Sequence, residues 1–329
     1  MRSLAVALVL AIVACGPQAL PSVGKPSEPR LWPLRGTADS AGESDRRPIV
    51  IKVPNDPAAR PQAGLASADL IWEIPVEGGI TRYAVVFHSQ DAASVGPVRS
   101  ARLSDLQYVP MLKAILVHVG GSEAVLQKIR AAAGRGEFVD VDEFTDAKAF
   151  ERVTNKVPPY NAYTSTAKAR EAARDRVKLD RPPPGLAFAN EPPKSGKPAA
   201  TLAIPYPAQG QRVVYTWDGG AWKRQQSGQP TKDGASGAEV APTNVVVIKT
   251  DVTEISGTAD VTGAPSLDFR STGTGTAVIL RDGVRVDGTW SRQGLDMYRF
   301  ADSAGAAVAL RPGLTWIHIV PADMQLEGG

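Results

Sequence analysis

The chain has 329 residues, 43% hydrophobic and 22% charged, the composition of a folded protein long enough for two cores. Its formal net charge of +3 excludes a molecule whose overall field draws it onto nucleic acid, and no nucleic-acid partner is expected. With 31 glycines, 27 prolines, three histidines and one cysteine, turn-rich β structure is favoured, and neither a metal site nor a cofactor is expected.

The chain opens with one basic residue, Arg2, ahead of an apolar run from Leu4 to Ala14, the layout of a signal peptide over residues 1–14. That run is too short to span a bilayer as a helix. Ile12-Val13-Ala14-Cys15 resembles the lipobox of bacterial lipoproteins. The resemblance implies cleavage before Cys15, acylation of its thiol, and a lipid anchor on the extracytoplasmic side of the cell membrane. Stable anchoring takes two acyl chains or more, each buried methylene adding about 0.8 kcal/mol. Residues 15–47 are rich in Pro, Gly, Ser and charge, and read as a flexible tether in which Trp32 is solvated.

Residues 48–185 alternate strand and helix patterns, which predicts an α/β layer domain. A strand at 48–53 leads through a turn-rich segment to a hairpin. A helix follows Val95–Arg102 and runs to about Lys113, then a buried strand at 114–119 turns at Gly120-Gly121-Ser122 into a helix over 123–133 capped by Ser122. A strand within 137–144 and a helix over 165–175 complete this part. Proline and glycine crowd between Arg181 and Pro198. Residues 199–323 read as mainly antiparallel β, with an Asp282-Gly283 type I′ hairpin and a Pro312-Gly313 turn before a last strand at 315–320. The fold class expected is α+β overall, an α/β layer domain followed by a mainly antiparallel β domain.

The hairpin carries ionisable groups where apolar ones would be expected. A two-residue Gly78-Gly79 turn would place Pro75 opposite Arg82, Glu73 opposite Ala84 and Asp69 opposite His88. Trp72, Ile74, Val76, Tyr83, Val85 and Phe87 then share the core face, and Asp69, Glu73, Arg82 and His88 the other. That second face reads either as solvated cross-strand pairs or as the floor of a polar cleft. Arg99 and Arg102, three apart at the expected start of a helix, offer anion-binding guanidiniums, as does the Gly120-Gly121-Ser122 turn with its helix N-terminus. His118 ends the strand before that turn, either as a site residue or as a satisfied core histidine.

The segments 59–82, 96–102 and 118–122, with Thr243–Val247 and Gly313–Ile317, resemble the signatures of the YerB-like lipoproteins, a family with two domains of unknown function. The resemblance covers most of the chain after the tether and implies export and two domains. It departs from the family pattern at Val157–Tyr163, where Tyr160 stands in place of a histidine. Asn161 in that segment joins Glu73, Glu77 and His118 as a candidate catalytic or orienting residue.

Three functions fit these residues. The first is a membrane-anchored binding module for an anionic or polyhydroxylated envelope ligand, held by Arg82, Arg99, Arg102, Gly120, Gly121 and Ser122. The second is a cell-wall or glycan hydrolase with Glu73 and Glu77 as its carboxylate pair, which requires them to flank one cleft about 5–10 Å apart. The third is a scaffold docking a surface protein through Trp217, Trp222, Trp290 and Trp316.

Overall fold

A computed structural model describes residues 30–177, 185–259 and 263–328. The signal peptide and Cys15 lie outside the described residues. The fold is mixed, as expected, but its two parts share one sheet. The main strands of the first part are β1 (Ile49–Pro54), β2 (Leu70–Pro75), β3 (Thr81–Phe87), β4 (Ile115–His118) and β5 (Val139–Asp142). The second part begins with β6 (Thr201–Ile204), β7 (Val213–Trp217), β8 (Trp222–Gln226) and β9 (Gln229–Pro230). It continues with β10 (Asn244–Thr250), β11 (Gly273–Arg281), β12 (Val284–Arg292), β13 (Arg299–Asp302) and β14 (Thr315–Pro321).

The large sheet runs β13-β12-β11-β10-β14-β2-β3-β1-β4-β5, and β6–β9 form a separate four-stranded sheet. The join is β14 with β2, a parallel pairing that sets His318 beside Glu73. Alternating side chains of the central strands enter two cores on opposite faces of the sheet. Ile71, Tyr83, Val85 and Phe87 pack towards α3 (Thr166–Ala173) and the small sheet. Leu70, Trp72, Ile74, Ala84 and Val86 pack towards α2 (Glu123–Gly134) and the segment containing α1 (Val109–Leu112). Strands covered on both faces carry long apolar runs, which is why β1, β3 and β14 read as so strongly hydrophobic.

Several expectations are corrected. The hairpin loop has three residues, Glu77–Gly79, closed by Val76 N donating to Ile80 O at 2.9 Å, with both glycines at positive φ. The odd loop moves the register by one, so Glu73 pairs with Tyr83 and Ile74 with Arg82. Glu73 and Arg82 therefore point to opposite faces, and neither face is wet: Asp69, Glu73, Arg82 and His88 are all buried.

The helix expected to begin near Arg99 is instead extended chain up to Arg102, followed by a 3-10 turn at Leu103–Gln107 and the single turn α1, which ends at Lys113 in the left-handed region. Backbone bonds hold that extended chain between two neighbours: Arg99 N donates to Lys52 O, and Ala101 N to Gly120 O.

Residues 30–47 belong to the folded unit, against the expectation of a tether. Trp32 is buried, edge-on to His88 with 5.0 Å between ring centroids, and the Arg46 guanidinium lies 5.1 Å from its ring. Trp222, Trp290 and Trp316 are fully buried, and Trp217 packs against Trp222, so they are core rather than a docking surface.

Candidate functional site

One cleft of about 420 Å³ gathers Glu77, Arg82, Arg99, Arg102, Gly121 and Ser122, together with Asp56 just past β1. Arg82 comes from the start of β3, Arg99 and Arg102 from the extended segment, and Gly121 and Ser122 from the turn into α2. The local reason is backbone pairing: Ala101 bonded to Gly120, and Val119 N donating to Arg99 O, draw the arginine segment along the end of β4.

The three arginines differ in their partners. Arg102 is pinned, its Nε donating to Glu77 Oε2 at 2.7 Å, while Glu77 Oε1 is sealed without a partner. Arg82 is 4% exposed, yet it forms no ion pair among the described residues; its only hydrogen bond is a 3.4 Å contact to Ser100 O, and its Nε is unpartnered. Arg99 likewise has a sealed, unpartnered Nε, and its guanidinium carbon lies 5.9 Å from the centre of the Tyr160 ring. Burial, with Arg102 and Arg99 nearby, pushes the Arg82 guanidinium down to about 9. Burial also lowers Arg99. Arg82 is buried and repelled by Arg99 and Arg102, with Asp56 and Glu77 nearby but neither in an ion pair with it among the described residues, and its burial costs the fold free energy that a bound anion would return.

The N-terminus of α2 adds to this. Ser122 occupies the N-cap position, but its side chain caps no backbone amide; its Oγ donates to Thr258 O at 3.4 Å. The first-turn amides of this twelve-residue helix therefore keep their donors and the positive end of the helix dipole next to the arginines. Gly121 permits the approach: a Cβ there would lie 3.2 Å from Leu126 and 3.4 Å from Ala101 O.

Behind the cleft, Lys52 is buried with its Nζ 2.6 Å from Asp105 Oδ1 and 2.8 Å from Tyr108 Oη. Asp105 Oδ2 accepts from Arg102 N at 2.8 Å, so one carboxylate fixes both the lysine and the turn that carries Arg102. At the rim, burial and the Asp56 carboxylate push the Tyr160 phenol up. Asn161 Oδ1 accepts from Arg152 Nη1 at 3.0 Å, and Arg152 also pairs with Glu143, so Asn161 braces the rim loop.

Glu73 does not reach this cleft. It is fully buried on the other face of the sheet, where Oε2 takes bonds from Arg224 Nη2 and Trp316 Nε1, both at 2.9 Å, and Oε1 from Thr81 Oγ1 at 2.9 Å. His318 Nδ1 is 3.5 Å from Glu73, and its two nitrogens meet Tyr206 Oη at 3.0 Å and Tyr215 Oη at 2.8 Å. Burial pushes His318 down to about 4, so it is neutral. The network ties the small sheet to the large one. A hydrolase built on Glu73 and Glu77 is thereby corrected, since the first is sealed in an ion pair and the second is held by Arg102.

His118 is also a buried structural residue. Its Nε2 lies 2.8 Å from Asp140 Oδ1 and its Nδ1 2.9 Å from Gly120 O, two acceptors that suit an imidazolium. Although burial opposes it, the Asp140 bond carries its pKa upward. It sets the Gly120 turn from behind. Sequence reasoning missed Asp56, Lys52 and Asp105, whose isolated positions carry no motif, and Arg224, which meets Glu73 across 151 positions.

Residues 34–179 match the family model described as "Protein of unknown function (DUF3048) N-terminal domain", and residues 202–317 the corresponding "C-terminal domain". The chain is 30% identical over 294 residues to "Putative lipoprotein YerB" of Bacillus subtilis (strain 168), covering 88% of this chain and 86% of that protein. The crystal structure of the Bacillus subtilis YerB protein superposes with a TM-score of 0.77 at 28% identity, over 91% of this chain and 99% of that one. The chain belongs to the DUF3048 family, with both of its domains and the YerB fold.

Proposed function

We propose that this protein is an extracytoplasmic lipoprotein, anchored through Cys15, that binds an anionic component of the cell envelope in the arginine cleft. The observation that carries the reading is Arg82: a buried guanidinium with no ion-pair partner among the described residues, beside Arg99 and the N-terminus of α2, which the Ser122 side chain leaves uncapped. The lipobox-like Ile12–Cys15 segment and the lipoprotein relative support the anchor. Among the described residues no helix is long and apolar enough to cross a membrane, and no group of three or more His, Cys, Asp or Glu could hold a metal.

The test is a thermal-shift screen of the full chain against anionic glycans, polyol phosphates and muropeptides, with Arg99→Ala in parallel. A ligand at a hundred times its Kd adds roughly 2.7 kcal/mol, a shift of a few degrees for a protein of this size. The reading expects a shift in the wild type that Arg99→Ala removes. An equal shift in both would place the ligand elsewhere.

A further inference from the structure

The cleft gathers three separate elements around one volume: Arg82 on β3, Arg99 on the extended segment, and the Gly121-Ser122 turn that leads into the N-terminus of α2. A carboxylate offers two coplanar oxygens, which a single guanidinium fork can satisfy. Donors arriving from three directions suit a tetrahedral oxyanion better. The ionisable side chains lining the cleft are three guanidiniums and two carboxylates, Asp56 and Glu77, leaving one positive charge in excess. A phosphomonoester carries about 1.5 to 2 negative charges at pH 7 and would overshoot that excess. A phosphodiester carries one and matches it.

Two further features describe the rest of the ligand. Asp56 lines the cleft and accepts a hydrogen bond from the Tyr160 phenol, which leaves the carboxylate further acceptor capacity, and the phenol its oxygen, for O–H groups next to the anion. The volume of about 420 Å³ exceeds what a bare phosphate fills and leaves room for short polar arms. The cleft also lies away from where the chain enters the fold. Trp32 packs on His88, just past the end of β3, whereas Arg82 is near its start, six residues or roughly 20 Å along the strand.

Building on the anion-binding reading above, we propose that the cleft takes a singly charged phosphodiester of a polyol, free of lipid, in preference to a phosphomonoester or a carboxylate. Arg82 and Arg99 hold the two free phosphate oxygens with the α2 amides, and Asp56 with Tyr160 takes hydroxyls of one arm.

Isothermal titration of the full chain in detergent tests this with four probes: glycerophosphoglycerol, glycerol 3-phosphate, inorganic phosphate and glucuronate. The diester should bind at least about tenfold more tightly than the other three, and Arg99→Gln should remove that binding. Asp56→Asn, which raises the excess charge by one, should move the preference towards glycerol 3-phosphate by about tenfold. The proposal is overturned if the wild type prefers the monoester or glucuronate, or if Asp56→Asn leaves the ranking unchanged. It is also overturned if phosphatidylglycerol vesicles retain the protein while the soluble diester does not bind. Binding of any probe at the arginines keeps the anion-binding reading; binding of none removes both.

Discussion

Glu73 and Arg82, nine positions apart on one hairpin, face opposite sides of the same sheet. Glu73 closes an ion pair with Arg224 on the face covered by the small sheet, and Arg82 opens into the cleft beside α2. One charge is satisfied by an ion pair within the fold; the other, among the described residues, is not.

Removing one partner of the buried Glu73–Arg224 pair strands the other. Glu73→Gln or Arg224→Met alone should each cost about 3–5 kcal/mol in urea unfolding, and the double variant clearly less than the sum. Additive losses would mean that the two side chains do not form a coupled pair.

Arg82 should behave in the opposite way. Its guanidinium is buried, repelled by Arg99 and Arg102, and lacks a partner for Nε, so Arg82→Met should leave the ligand-free protein as stable or about 1 kcal/mol more stable. Binding of any anion in the cleft should disappear at the same time. A loss of several kcal/mol would assign Arg82 a structural role instead.

The pH dependence has a defined sign. His318 and His88 are held down to about 4 by burial, from an ordinary 6.5. Each favours the native state only while neutral, so its contribution is complete above pH 6.5 and is lost as pH falls through 4. The shift is worth about 3 kcal/mol per histidine. In denaturation between pH 7 and 4.5, His318→Gln should lose stability less steeply than the wild type. His118 acts in reverse: its raised pKa stabilises below pH 6.5 and is lost as pH rises through the folded value. Parallel slopes for wild type and His318→Gln would contradict the burial account.

Much of this arrangement was legible in the sequence, for identifiable reasons. The Asp282-Gly283 turn located the hairpin of β11 and β12, because a two-residue loop with both residues at positive φ fixes the pairing of Arg281 with Val284. The Gly78-Gly79 turn misled because Glu77 joins the loop, and one added residue reverses which side chains share a face. The arginines of the cleft were found as residue types near a turn, although the helix that serves them is α2 and not the one expected at Arg99. Arg224 and His318 were out of reach, since their meeting with Glu73 depends on β14 pairing with β2 and on the small sheet closing over it.

The N-terminal processing is checked separately. Mass spectrometry of the protein extracted from membranes should find Cys15 as the first residue, carrying acyl chains, and Cys15→Ser should remain unacylated. An uncut Met1 or an unmodified Cys15 would remove the anchor.

The most direct test of the central claim is a crystal of the protein soaked in perrhenate, a heavy, singly charged tetrahedral oxyanion, with its anomalous signal mapped. The account predicts a peak between the Arg82 and Arg99 guanidiniums and the first amides of α2, at hydrogen-bond distance from each. An unoccupied cleft, with perrhenate bound only at exposed lysines and arginines elsewhere, would contradict it.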